Sequence, residues 1–178
     1  MVFMKRLLLL LLPLLASCSH KEIGSGDVGY YSIFTYAAKV QKEKGWLIHH
    51  YGGGFHEKID EIYMSFSIRQ HVTIDEARRL MVTTIGDFLT HVNQDERVKP
   101  FLNPYPYTSD SLDIGLAFVD DEYIMLYNHE LAFVLLKKGK IVYCIRGDGM
   151  LEDIHEETLE EAYRIVEQEK LKVEKTDL

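Results

Sequence analysis

Cysteine is scarce in this chain of 178 residues, which contains only Cys18 and Cys144. Two cysteines allow a single intrachain disulfide, and a modification of either one excludes even that. Cys144 lies in the apolar run Ile141–Ile145, so we expect a buried thiol that packs as a small hydrophobic side chain. The folded state must then be stabilised by its hydrophobic core.

Basic residues are also in the minority, because 20 Lys and Arg face 28 Asp and Glu, for a formal net charge of −8. No cluster of Lys or Arg reverses this sign locally. The charge therefore argues against nucleic-acid binding and against electrostatic docking on anionic lipid headgroups.

Recognised catalytic motifs are missing as well. The sequence contains neither a Gly-x-Ser-x-Gly elbow nor a His-Glu-x-x-His helix motif. Ser65 and Ser67 precede His71, but no elbow or orienting acid accompanies them, so they do not predict a triad. The segment 147–149 lacks the lysine of a phosphate loop and predicts a turn, and the acidic run 120–122 lacks the alternating ligands of a calcium loop. We expect no cofactor.

Long apolar runs are limited to the start of the chain. Leu7–Leu15 is nine residues long, whereas a helix needs about 20 residues to cross a bilayer. The run follows Lys5 and Arg6, and this order of charge and apolar residues is typical of a secretory signal peptide.

The residues that end this run, Leu15-Ala16-Ser17-Cys18, resemble the lipobox of bacterial lipoprotein precursors. The resemblance implies that residues 1–17 are removed and that Cys18 carries the lipid that holds the protein on a membrane. Ser19 resembles the default residue for the outer membrane, so we expect a cell-envelope location with the outer membrane favoured over the inner membrane. The resemblance covers residues 1–18 alone.

The rest of the chain has the length and composition of one folded domain. We predict a lipidated cysteine and flexible tether at 18–29, a single domain at 30–170 and a frayed tail at 171–178. The fold class is α+β, with helices packed on an antiparallel sheet made of one strand and then a four-strand meander.

Periodicity places the individual elements of this domain. Capping boxes, Thr73 with Glu76 and Thr158 with Glu161, predict the starts of two helices, the second running to about residue 170. Another helix is predicted at 30–44, a short strand at 46–51, and a flexible loop at the triple glycine 52–54. Residues 61–69 alternate between apolar and polar side chains, as in a strand with one covered face. The meander is predicted at the apolar runs 113–119, 123–128, 131–137 and 140–146.

Three histidines, His49, His50 and His56, surround the triple glycine and form the candidate ligand or metal site. Neutral imidazoles bind zinc or copper, and glycines let a loop close around an ion. Against a metal, adjacent residues of a regular strand point to opposite faces, so His49 and His50 would not share one ion. The alternatives are a ligand-contacting loop without metal and a half-exposed strand with a mobile loop.

A second candidate is the segment 100–107, in which three prolines alternate with Phe101, Tyr105 and Tyr107. Exposed aromatic side chains supply large contact areas and are enriched at protein interfaces. The segment either forms such an interface or folds down as a lid over the core.

Together these observations favour a non-catalytic envelope lipoprotein that binds another protein or a small ligand. The alternative is an envelope hydrolase or metal-binding protein that uses His49, His50 or His56. The expected partners are the membrane, through lipid on Cys18, and an envelope protein.

Overall fold

The computed structural model describes residues 23–127 and 129–176, and within those ranges it contains three α-helices and one six-stranded β-sheet. The helices are α1 (Ser25–Lys44), α2 (Ile74–Gln94) and α3 (Leu159–Thr176). The strands are β1 (Leu47–Phe55), β2 (Ile59–Arg69), β3 (Leu112–Val119), β4 (Leu131–Lys137), β5 (Lys140–Arg146) and β6 (Leu151–Thr158).

The strands lie side by side in their chain order, from β1 to β6. All neighbours are antiparallel except β2 and β3, which are parallel and are connected through α2. A parallel pair requires a crossover of this kind because the chain must return to the same end of the sheet. The α+β class is confirmed, but the predicted strand arrangement is wrong, since a hairpin precedes α2 and the meander runs from β3 to β6.

The predicted strand at 123–128 is wrong for its described residues, 123–127, which form a turn around the carboxylate of Asp120 and a single bridge from Met125 to Val119. The Asp120 Oδ1 atom accepts hydrogen bonds from the backbone N–H groups of Glu122 and Ile124, each at 2.9 Å. Tyr123, between them, has a left-handed backbone with a φ of 61°. The meander obtains its last strand from β6 instead, which is half acidic and mostly exposed and so lacks an apolar pattern.

The triple glycine lies inside β1, so the predicted flexible loop at 52–54 is wrong. The reason is that aromatic rings cover two of these glycines. The Tyr63 ring occupies the space beside Gly52, and the Phe55 ring occupies the space beside Gly53. The same Phe55 ring packs on Gly29 of α1, where a Cβ atom would lie 2.7 Å from Phe55 Cε1. Glycine is therefore selected here for ring packing rather than for flexibility.

A single hydrophobic core fills the space between the helices and one face of the sheet. Tyr36 of α1 is at its centre, with ring centroids 6.2 Å from Phe66 of β2 and 5.1 Å from Phe88 of α2. The Tyr36 hydroxyl donates to the Thr84 carbonyl at 3.0 Å, so this buried polar atom is satisfied.

A buried ion pair connects α2 to β6, the strand at one edge of the sheet. Arg78 Nε donates to Glu157 Oε1 at 2.8 Å, and both side chains are buried. The Tyr143 hydroxyl also donates to Glu157. Burial raises the pKa of Tyr143, and Glu157 raises it further, so the phenol keeps its proton and remains a donor.

Both predicted capping boxes are confirmed. Glu76 N–H donates to Thr73 Oγ1 at 3.3 Å while Thr73 N–H donates to Glu76 Oε2 at 2.8 Å. Thr158 and Glu161 form the same reciprocal pair at the start of α3.

Two helices extend beyond their predicted bounds. Helix α1 begins at Ser25 instead of residue 30, because the Ser25 hydroxyl donates to the His56 carbonyl and Asp27 accepts from the Gly24 N–H at 3.3 Å. Helix α3 continues to Thr176, through residues expected to fray. Cys18, the leader 1–17 and the rest of the predicted tether before residue 23 lie outside the described residues.

The three helices of the described ranges pack on one face of the sheet and leave the opposite face free of helix. Alternate β2 side chains (Ile62, Met64, Phe66 and Ile68) enter the core, while the exposed Tyr63 points away from it. We call this second surface the helix-free face. No helix in the described ranges has the length and apolar composition needed to span a bilayer.

Candidate functional site

The helix-free face contains a groove of about 370 Å³ that crosses β1 to β4. Its volume falls within the range of small-molecule sites. Its lining mixes charged, polar and apolar side chains: His50, Glu61, Tyr63, Met64, Ser65, Asp113, Gly115, Phe133, Leu135 and Lys137.

Gly115 forms the floor of this groove. It pairs with Ser65 of β2 on one side and with Leu135 of β4 on the other. A Cβ atom at Gly115 would lie 2.7 Å from Phe133 Cζ and 3.0 Å from Ser65 Cβ. The missing side chain therefore gives the Phe133 ring its place on the sheet.

Charged side chains lie at one end of the groove. Lys137 Nζ lies 3.7 Å from Asp113 Oδ2, and Glu61 lines the same groove. Two carboxylates against one ammonium give these three charged side chains a net negative charge. Such a site favours a ligand that is apolar and carries positive charge.

A β-bulge at His49 positions the two adjacent histidines. Ile48 pairs with Phe66 and His50 pairs with Ser65, so His49 is an extra residue in β1. Both rings consequently lie over the helix-free face, with centroids 4.6 Å apart. The expectation that His49 and His50 point to opposite faces is therefore wrong, because it assumed a regular strand.

His49 is fixed by two hydroxyl groups of β2. Its Nε2 atom is 2.9 Å from Ser65 Oγ and its Nδ1 atom is 3.0 Å from Ser67 Oγ. Burial lowers the pKa of His49, and the neighbouring His50 lowers it further, so the neutral imidazole is favoured. A neutral ring donates to one hydroxyl and accepts from the other, which suits this arrangement.

His56 does not join the other two histidines. It lies in the turn after β1, where its backbone N–H donates to the Lys58 carbonyl at 3.1 Å. Five strand residues, 51–55, at about 3.3 Å each separate it from His50. Within the described ranges, no three His, Cys, Asp or Glu side chains come together to hold a metal ion.

The aromatic residues of the segment 100–107 have different environments. Tyr107 is only 2% exposed, its hydroxyl donates to the Ser111 carbonyl at 2.6 Å, and Asn93 binds both of its backbone groups. Phe101 packs against the core, whereas Tyr105 is 56% exposed. The burial of Tyr107 fits the lid alternative, whereas Tyr105 is the member of the three that is largely open to contact.

Cys144 is the buried thiol that the sequence predicts, with 6% of its surface exposed. Its Sγ atom lies 3.4 Å from Asp153 Oδ1. Burial raises the pKa of the thiol to about 12, and Asp153 contributes to the rise, so Cys144 is not a nucleophile near neutral pH.

Sequence reasoning missed most of the groove. Its polar members in β2 were visible only as the outward positions of an alternating strand, and Gly115 only as a glycine inside an apolar run. The sequence could have marked Gly115, because a glycine within a strand often signals close packing by another group.

Comparison with known proteins adds no family to these observations. No protein-family model, curated protein or solved structure matches the chain.

Proposed function

We propose that this protein is a lipid-anchored binding module of the bacterial cell envelope. Its proposed ligand is a segment of a partner protein that presents an apolar side chain beside a positively charged one. Lipid on Cys18 would anchor the module, with the outer membrane favoured, and the groove on the helix-free face would hold the ligand. The observation that carries this proposal is the groove itself, with an apolar middle and a negatively charged end.

The shape of the groove supports a side chain as the ligand. Phe133 and Leu135 provide apolar walls on β4, and Gly115 leaves room above the sheet between them and Ser65. Glu61 and Asp113 provide acceptors for a cationic group next to the apolar one. The net negative charge of the chain would also attract a basic partner over long range.

A peptide titration followed by NMR tests this proposal. The probe is a blocked tetrapeptide with leucine and phenylalanine between two arginines, added to the ¹⁵N-labelled protein. We expect saturable shift changes centred on the amides of Ser65, Gly115 and Leu135. Leu135→Lys should abolish them by placing a like charge in the groove, whereas Ile154→Lys, on exposed β6, should not. Equal shifts with the glutamate version of the peptide, or no saturable shift, would overturn the proposal.

A hydrolase is the second candidate, because His49 Nε2 lies within hydrogen-bond distance of Ser65 Oγ. Ser67 holds the other ring nitrogen, however, in the place where a triad has its acid. Covalent labelling of Ser65 by a fluorophosphonate, lost in Ser65→Ala and retained in Ser67→Ala, would favour the hydrolase over the binding module.

A further inference from the structure

A cluster of aromatic rings lies on the surface between α1 and β1. Tyr30 and Phe34 are one helical turn apart on α1, with ring centroids 6.3 Å apart, and Tyr51 of β1 lies 4.8 Å from Phe34. These three residues, which we call the aromatic patch, are 43%, 45% and 41% exposed. Phe55 lies beneath them, 5.1 Å from Tyr30.

Packing of the hydrophobic core does not explain why the three rings of the aromatic patch lie at the surface. Phe55 already fills the space between α1 and β1 by packing on Gly29 and Gly53. The three rings of the aromatic patch pack on one another, and Tyr30 also packs on Phe55, yet nearly half of their surface is in contact with solvent. A contiguous group of exposed aromatic rings is typical of a surface that binds a membrane or another protein.

The position of the aromatic patch suggests what it meets. Ser25, the first residue of α1, is seven residues after Cys18, so a fully extended chain spans at most about 25 Å between them. Tyr30 lies about 8 Å further along the helix axis. If Cys18 is anchored in a bilayer, the patch is therefore within reach of the same bilayer surface.

The chemistry of the side chains is also suited to that surface. Tyrosine presents an apolar ring and a polar hydroxyl, and it is enriched where hydrocarbon meets headgroups. A second groove lies around the start of α1, lined by Ile23, Val28, Tyr31 and Phe101 together with the charged Asp27 and Arg97, and Ile23 is 70% exposed there. The net negative charge of the chain disfavours anionic lipid, which leaves a zwitterionic interface as the better match.

We propose that the aromatic patch rests on the zwitterionic lipid interface of the membrane that holds the protein, and so fixes the orientation of the domain. The inference rests on the proposed anchor at Cys18. The orientation can nevertheless be tested whether or not the cell attaches that lipid.

The test measures quenching of tryptophan fluorescence by brominated phosphatidylcholine in vesicles. The full chain is purified and its denatured mass is recorded. A lipidated protein is reconstituted directly, and an unlipidated one is coupled through Cys18 to a maleimide lipid, since Cys144 is buried and keeps its proton. An unmodified Cys18 thus contradicts the anchor proposal without deciding the orientation.

The reporter is Tyr30→Trp, and the matched control is Tyr127→Trp. Tyr127 is 53% exposed and follows the last residue of β3, at the end of the sheet away from the aromatic patch. The unsubstituted chain gives the background from Trp46, which is buried. Because interfacial aromatic rings sit at headgroup level, we expect quenching of the Tyr30→Trp signal to exceed that of the control by about twofold or more. Equal quenching of the two reporters, or none at Tyr30→Trp, would overturn the proposal, as would a patch occupied by a second copy of the chain.

Discussion

Gly115 shows how one missing side chain determines the form of a surface. Without a Cβ atom at Gly115, the Phe133 ring of β4 can approach β3 closely and the groove beside Ser65 stays open. Phe133 is only partly buried there, so its position depends on this local contact rather than on the main core. The composition of the groove is thus set by a residue that contributes no side-chain atoms to it.

The contact leads to a stability prediction. We expect Gly115→Ala to destabilise the protein by about 1–3 kcal/mol, because the new methyl group must displace Phe133 or Ser65. The control is Gly54→Ala, whose Cβ atom would meet nothing closer than 3.7 Å and should change stability little. Urea denaturation measures both. A Gly115→Ala variant as stable as Gly54→Ala would show that the ring moves without cost.

Among the elements, α1 and α2 are joined by a histidine that should make their contact sensitive to pH. His91 Nε2 lies 3.2 Å from the Ser32 carbonyl, and burial lowers the pKa of His91. The folded state therefore favours neutral His91, while the unfolded chain titrates near 6.5. The stabilisation is fully present above pH 6.5 and is lost as the pH falls below it, with His49 adding in the same direction.

We accordingly expect the urea concentration at the unfolding midpoint to decrease as the pH is lowered from 7.5 to 5.5. This window lies above the ordinary titration range of carboxylates. His91→Gln should reduce this dependence, because glutamine can still donate to the Ser32 carbonyl but does not titrate. A midpoint in His91→Gln that falls as steeply as in the unsubstituted chain would contradict the assignment.

The helices and strands also differ in how well they can be predicted from the sequence. Helix α2 is predictable because a capping box and an apolar stripe agree, and residues such as Ile85 and Phe88 are fully buried as that stripe requires. Strand β6 is not predictable, because it pairs at an edge of the sheet and buries almost nothing. The bulge at His49 depends on pairing with β2, so local spacing could not place the two histidines on one face.

For the whole molecule, the strongest prediction is the lipid anchor at Cys18, which lies outside the described residues. Removal of residues 1–17 would take away Lys5 and Arg6, leaving 18 basic against 28 acidic side chains. So acidic a body is repelled by anionic lipid, and stable attachment would depend on the acyl chains. We expect Cys18→Ser to move the protein from the membrane fraction to the soluble fraction, as shown by fractionation of the producing cells. Cys144→Ser should stay with the membrane, and equal retention of both variants would contradict lipid anchoring.

The parallel pairing of β2 with β3 has a consequence for how the chain reaches this structure. The hairpin β1–β2 and the meander β3–β6 are each closed by turns or short connections, so their contacts are local. Joining them across residues 70–111 requires closure of a long segment, which carries an entropic cost and slows folding. The two halves of the sheet are therefore expected to form quickly and separately, with docking of α2 and the β2–β3 ladder as the slow step. Until that step, the inner edges of both halves remain open to pairing with other chains.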